Sequence, residues 1–106
     1  MTKYILNDLG EPVVENDLHK WGEWFQKSNR SVCRTAFNEG YVSTVFLGLD
    51  HNYSGIGGPV LWETMVFGGA MDQHQVRCNG NREQAEAMHQ RVVDMVKASD
   101  VPASEA

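Results

Sequence analysis

The sequence predicts an α+β domain: an antiparallel sheet of about five strands with two helices, in the order strand, strand, helix, strands, helix. Segments rich in β-branched and aromatic residues fill the middle of the chain. Apolar residues at helical spacing occur on both sides of that region. Short polar turns and one glycine-rich loop, not helices, separate the central strand segments, which favours antiparallel pairing over a parallel α/β fold.

The length of 106 residues predicts one domain, which we place at residues 1–98, and a disordered tail at residues 99–106. Nine basic against fourteen acidic side chains give a net charge of -5, the wrong sign for a protein that coats DNA or RNA. The sequence has no run of roughly 20 apolar residues and no apolar signal core in its first ten residues. We therefore expect a cytoplasmic protein with no membrane partner and no general nucleic-acid binding.

Two segments predict amphipathic helices. Asn16 or Asp17 is a suitable N-cap for a helix that runs to about Lys27. The second helix should begin after Asn81, because Gln84 follows three residues later and completes a capping box.

Six segments have the composition of strands: residues 4–6, 12–14, 31–37, 41–47, 60–67 and 75–78. The first two flank a polar turn and predict an edge hairpin. The two strongest, residues 41–47 and 60–67, carry apolar residues on both faces. Two helices can cover only part of such a sheet, and a second copy of the chain would cover the remaining apolar surface. This predicts a homo-oligomer, a dimer or higher; the alternative is that both helices and the glycine-rich loop at residues 50–59 suffice.

One group of candidate residues has the chemistry of a hydrolytic metal site, namely Asp50, His51, Glu63 and His74. Their spacing matches no compact metal motif, and turn capping explains the Asp50–His51 pair more simply. Glu63 stands in a strand expected to be well packed, where an unpaired carboxylate is costly. Its natural partner would be Arg34 or Arg77.

A second group has the chemistry of a nucleotide pocket, because aromatic faces stack on bases, Arg forks hold phosphates and glycine backbone admits close approach. Trp24 lies off the main stripe of its helix and is the better candidate for an exposed stacking surface. The glycine segment lacks the Lys of a P-loop and matches no dinucleotide fingerprint. The candidate ligand-binding residues are Arg34, Arg77, Trp24, Tyr53, Gly57 and Gly58.

The chain offers no clear catalytic motif. Cys33 and Cys78 form no CxxC pair, so we interpret them as reduced, buried thiols. No serine or cysteine stands in a nucleophile motif. The sequence favours a binding protein without catalytic residues, metal or cofactor over an enzyme.

Two longer motifs, at residues 43–51 (STVFLGLDH) and 63–69 (ETMVFGG), with Arg34 and Thr35 before them, resemble a widespread family of short phage and prophage proteins. The resemblance covers most of residues 3–97. It implies a link to the phage sponge proteins of the anti-CBASS type, which sequester the cyclic nucleotide signals of bacterial anti-phage immunity without cleaving them. It also implies action in the cytoplasm of an infected bacterial host.

Two other functions remain as alternatives. The chain could inhibit a host protein by direct binding through an acidic and aromatic surface. It could also be a small metal-dependent hydrolase that uses the first group of residues. A bound nucleotide recovered unchanged, co-purification of a host protein, and loss of a substrate on adding divalent metal would distinguish the three functions.

Overall fold

The computed structural model describes residues 1–99, which form six strands and two helices. In chain order these are β1 (Tyr4–Leu6), β2 (Pro12–Val14), α1 (Leu18–Lys27), β3 (Ser31–Phe37), β4 (Gly40–Phe46), β5 (Val60–Phe67), β6 (Gln75–Asn79) and α2 (Arg82–Ser99). The predicted α+β class and order of elements are confirmed. Of the predicted tail, residue 99 belongs to α2, and residues 100–106 lie outside the described part. Neither of the two helices described has the length and apolar character needed to cross a membrane.

The strands form two sheets rather than one sheet of about five strands. In the large sheet β3, β4, β5 and β6 lie side by side in that order, each antiparallel to its neighbour. β1 and β2 form a separate antiparallel hairpin. The hairpin joins the rest of the fold through the bridge between Lys3 and Leu49 and through the Tyr4 N–H, which donates to the Gly48 carbonyl oxygen at 2.8 Å. It therefore meets the loop after β4 and not a strand edge, which keeps the sheets separate.

α1 fastens the hairpin to the end of the large sheet. Its N-cap is Asp17, whose Oδ1 accepts hydrogen bonds from two N–H groups of the first turn at 2.9 and 3.1 Å. Further along the helix, Trp21 Nε1 donates to the carbonyl oxygens of Tyr4 at 3.1 Å and Gly48 at 3.0 Å. One indole thus ties the helix, the hairpin and the end of β4 together.

The hydrophobic core lies between α2 and one face of the large sheet. Alternate residues of β4 and β5 point into it, as the two-residue period of a strand requires. α1 adds to the same side through Trp24, whose ring meets Phe46 edge-on at a centroid distance of 5.7 Å. The buried apolar residues on the two sides of this core are Val42, Phe46, Leu61, Trp62 and Val66 from the sheet, and Ala85, Met88, Val92, Val93 and Val96 from α2.

A hydrogen-bonded network of polar side chains crosses this core. His89 of α2 is buried, with Nε2 2.8 Å from Thr35 Oγ1 and Nδ1 2.7 Å from Thr44 Oγ1. Thr44 Oγ1 is also hydrogen-bonded to Thr64 Oγ1. A neutral imidazole has one donor and one acceptor nitrogen, and a hydroxyl takes either role. Every hydrogen bond of this buried network can therefore have one donor and one acceptor. These contacts link α2 to three strands of the large sheet.

The free energy of unfolding should fall as the pH drops below about 6.5. Burial lowers the pKa of His89 below its ordinary value of 6.5, so the unfolded chain binds a proton before the folded one does. The contribution of His89 to stability is therefore complete above pH 6.5 and is lost as the pH falls towards the folded-state pKa. Urea unfolding between about pH 7.5 and pH 5 measures this loss.

The matched variants for this measurement are His89→Gln and His19→Gln. The first removes the buried imidazole and should flatten the pH dependence, while the second changes an exposed histidine of α1 and should leave it as in wild type. An identical pH dependence in wild type and His89→Gln would contradict the expected role of the buried histidine.

The opposite face of the large sheet, here called the open face, is covered by no helix or strand of residues 1–99. Its side chains alternate with those of the core, and register places them in three rows across the strands. Tyr41 and Phe67 stack there at 4.8 Å, and the Arg34 guanidinium lies 3.7 Å from the Tyr41 ring centroid. The rows are Ala36, Tyr41 and Phe67; Arg34, Ser43, Met65 and Gln75; and Val45, Glu63 and Arg77.

Candidate functional site

A cleft of about 680 Å³ lies between the hairpin, the glycine-rich loop and the start of α2. Residues 9–12 at the hairpin tip form one side, and residues 79–83, from the end of β6 to the first turn of α2, form another. Gly58 and Pro59 of the loop complete the rim, while Tyr4 and Leu61 contribute aromatic and aliphatic surface. The volume falls within the roughly 300 to 1,000 Å³ that is typical of small-molecule pockets.

The wall formed by α2 has the predicted capping box. The Asn81 side chain accepts from the Gln84 N–H at 3.2 Å, and the Gln84 side chain accepts from the Asn81 N–H at 2.8 Å. The N–H groups of Arg82 and Glu83 have no acceptor among the described residues. Two free backbone donors therefore stand at the positive end of the helix dipole beside the cleft.

The hairpin tip is held by one asparagine. Asn7 Oδ1 accepts from the N–H groups of Leu9 at 3.0 Å and Glu11 at 2.9 Å, which closes a tight turn. Gly10 adopts a φ of +77° in this turn, a conformation that side-chain-bearing residues rarely take. Arg82 Nη1 lies 4.0 Å from the point where a Cβ of Gly10 would stand. The guanidinium thus reaches the hairpin tip, and the two walls of the cleft meet there.

The glycine-rich loop is organised by two side chains. Asp50 Oδ1 accepts from the N–H groups of Asn52 at 2.8 Å and Val60 at 2.9 Å, which joins the two ends of the loop. Asn52 Nδ2 donates to the carbonyl oxygens of Ile56 at 2.9 Å and Gly58 at 2.8 Å. These bonds fix the backbone of Gly58 at the rim of the cleft.

The cleft is lined by side chains of both positive and negative charge. Arg82 makes an exposed ion pair with Glu86 of its own helix at 3.4 Å, which is worth little and leaves the guanidinium able to bind an anion. Glu11 and Glu83 supply carboxylate acceptors. Arg is suited to phosphate, and carboxylates accept from the hydroxyl and amino groups of sugars and bases. The mixture fits a ligand that has both negative charge and hydrogen-bond donors.

The two arginines predicted to bind ligand lie on the open face, away from the cleft. Arg34 is on β3 and Arg77 on β6, the two edge strands, which lie three strand spacings or about 14 Å apart, and the two residues are also in different rows along the strands. Arg77 Nε donates to Glu63 Oε2 at 2.8 Å, as their register positions on β5 and β6 allow. The partner of Glu63 is therefore Arg77, and Arg34 instead stacks on Tyr41.

The remaining predicted ligand residues lie on two different parts of the molecule. Trp24 is half-buried against the core, where its ring packs on Phe46. Tyr53 and Gly57 are exposed in the glycine-rich loop, and Tyr53 retains 70% of its accessible surface. Of the six predicted residues, only Gly58 lines the cleft.

The four candidate metal ligands do not come together. Asp50 organises its loop, and the His51 Nδ1 is 2.8 Å from the Leu49 carbonyl oxygen. Glu63 lies on the open face, and His74 lies in the connection between β5 and β6, with Nε2 buried and unpartnered within residues 1–99. In the described part of the chain, no three His, Cys, Asp or Glu side chains are arranged to hold a metal ion.

Cys33 and Cys78 are free and half-buried on different strands. Burial raises the pKa of both thiols, which keeps them in the weakly nucleophilic protonated form at neutral pH. Neither residue lines the cleft.

Sequence reasoning missed Arg82, Glu11 and Gly10 as parts of one site. Its two local signals were correct, since the turn around Gly10 and the capping box at Asn81 are both present. What was missing is the tertiary contact that brings those two features together. Comparisons with protein-family models, with curated proteins and with solved structures find no match.

Proposed function

We propose that this chain is a non-enzymatic, phage-type binding protein that sequesters a nucleotide in the cleft. The observation that carries the proposal is the cleft itself, with about 680 Å³ of space beside the first turn of α2. The resemblance to short phage and prophage proteins, with the link to sponge proteins that it implies, supports a cyclic nucleotide immune signal as the ligand and binding without cleavage as the activity. Under this proposal the protein removes the signal from the host defence.

A phosphate of the ligand would bind at the α2 end of the cleft. Arg82 supplies a charged fork there, and the free N–H groups of Arg82 and Glu83 add donors that favour an anion. Gly10 and Gly80 on the neighbouring rim have no side chains, so a phosphate could approach their backbone. This local arrangement provides positive potential in a chain whose net charge is -5.

The sugar and base would occupy the rest of the cleft. Glu11 and Glu83 can accept hydrogen bonds from a ribose hydroxyl or an exocyclic amino group. Tyr4 and Leu61 offer apolar surface for a base. The carboxylates would repel an isolated phosphate but accept donors that a nucleotide has, so the cleft should prefer nucleotides over inorganic phosphate.

Arg82→Ala should weaken the binding of a cyclic dinucleotide by about tenfold to a hundredfold, the loss of a charge-assisted hydrogen bond worth about 1.5 to 3 kcal/mol. Isothermal titration of wild type and variant measures this loss. The melting temperature should change little, because Arg82 is exposed and its ion pair with Glu86 is a surface pair.

Arg91→Ala is the matched control, since Arg91 is also exposed on α2 but does not line the cleft. It should bind as wild type does. Arg34→Ala and Arg77→Ala test the open face as the alternative location. If either of these weakens binding while Arg82→Ala does not, the ligand binds on the open face and the proposed location is wrong.

A further inference from the structure

We propose that two copies of this chain associate through their open faces, about a two-fold axis that runs along the strands between β4 and β5. This interface is on the opposite side of the sheet from α2. It is independent of the proposed nucleotide site, so either proposal can fail without the other.

The centre of the open face is suited to burial. Tyr41, Val45, Met65 and Phe67 occupy it, and all four are half-buried in the single chain. They lie on β4 and β5, the two inner strands of the sheet. Two sheets that stack with nearly aligned strands pack about 10 Å apart, which would bring these side chains into contact across the axis.

Two charged side chains of the open face are not fully paired within a single chain. Arg34 has no carboxylate within 4.0 Å among the described residues. Glu63 uses Oε2 to accept from Arg77 and from the Gln75 amide, whereas no donor within residues 1–99 contacts its Oε1. A free cation therefore lies on the β3 edge, and a free carboxylate oxygen lies towards the β6 edge.

A two-fold axis along the strands brings these opposite edges together. It places β3 of one chain over β6 of the other, so that Arg34 faces the partner's Gln75 and is within side-chain reach of the partner's Glu63. An axis across the strands would instead stack β3 on β3 and leave Arg34 without an acid opposite it. Charge complementarity therefore favours a second copy of the chain as the partner of the open face, and it favours the axis along the strands over the axis across them.

Sedimentation equilibrium over a range of concentrations should show a monomer–dimer equilibrium. Arg34→Glu should raise the dimer dissociation constant at least tenfold, because it places a negative charge within side-chain reach of the partner's Glu63. Arg91→Glu makes the same charge change on an exposed residue of α2, outside the open face, and should leave the constant unchanged. A chain that stays monomeric at every concentration would overturn the proposal.

Cross-linking tests the axis without depending on a charge reversal. Register places Ser31 of β3 and Arg77 of β6 in one row across the sheet, so the proposed axis places Ser31 opposite the partner's Arg77, about 10 Å away. That distance is too long for a disulfide but suits a short bismaleimide. The bismaleimide should link a mixture of Ser31→Cys and Arg77→Cys proteins, whereas each protein alone should give no more than wild type, because two copies of either residue would lie about 17 Å apart. A cross-link in Ser31→Cys alone, or none in the mixture, would overturn the proposed arrangement.

Discussion

Replacing Trp62 by alanine should lower the free energy of unfolding by about 3 to 5 kcal/mol, the usual cost of removing a large aromatic side chain from a core. Trp62 has no accessible surface, and its ring packs against Phe46 at a centroid distance of 5.1 Å. Its Nε1 donates to the Gly80 carbonyl oxygen at 2.8 Å. The variant therefore loses core packing. It also loses the hydrogen bond that holds Gly80, a residue that lines the cleft. Urea unfolding monitored by circular dichroism measures the loss.

Tyr53→Ala is the matched aromatic truncation, because Tyr53 is 70% exposed at the tip of the glycine-rich loop. Its free energy of unfolding should stay within about 0.5 kcal/mol of wild type. A loss in Trp62→Ala no larger than that in Tyr53→Ala would show that the core does not have the packing described.

Gly40→Ala should lower the free energy of unfolding by about 3 kcal/mol, at the upper end of what overpacking costs. A Cβ on Gly40 would overlap the Phe67 carbonyl oxygen, and a Cβ on the neighbouring Gly68 would overlap the Glu39 carbonyl oxygen. Both obstacles are backbone atoms, which cannot turn aside as a flexible side chain can. The variant must therefore separate the start of β4, at Gly40, from the end of β5, at Phe67. Chemical unfolding measures the loss.

Gly22→Ala is the matched glycine replacement and should have the opposite sign. Gly22 stands inside α1, and no atom lies within 4 Å of its would-be Cβ. Alanine should stabilise the helix by about 0.5 to 1 kcal/mol, because it has a higher helix propensity than glycine. Equal losses in Gly22→Ala and Gly40→Ala would contradict the close approach of the two strands.

Local signals in the sequence predicted most of the elements. The bounds of β3 and β5 agree with the predicted segments, because two-residue alternation and turn residues mark strand ends directly. The capping box of α2 forms as predicted, since both of its hydrogen bonds are made within four residues. Asp17, one of two predicted caps, is the residue that caps α1.

Contacts between distant residues account for what the sequence could not predict. The division into two sheets depends on where the hairpin docks, and that docking uses Trp21 and Gly48, which are far apart in the chain. The choice of Arg77 over Arg34 as the partner of Glu63 depends on the order of strands in the sheet. The cleft likewise requires Gly10 and Arg82 to meet, although 72 positions separate them in the chain, and the local signals of the turn and the capping box do not show that contact.

A nuclear magnetic resonance titration of the nitrogen-labelled protein with a cyclic dinucleotide tests the central claim most directly. Amide spectra locate the ligand, and phosphorus spectra report whether it stays intact. We expect shifts centred on the amides of Gly10, Gly58, Gly80 and Arg82, with the phosphorus spectrum showing only the unchanged ligand. Shifts centred on the open face at Ser43 and Met65, phosphorus signals of a cleavage product, or no shifts with any cyclic nucleotide would contradict the proposed sequestering cleft.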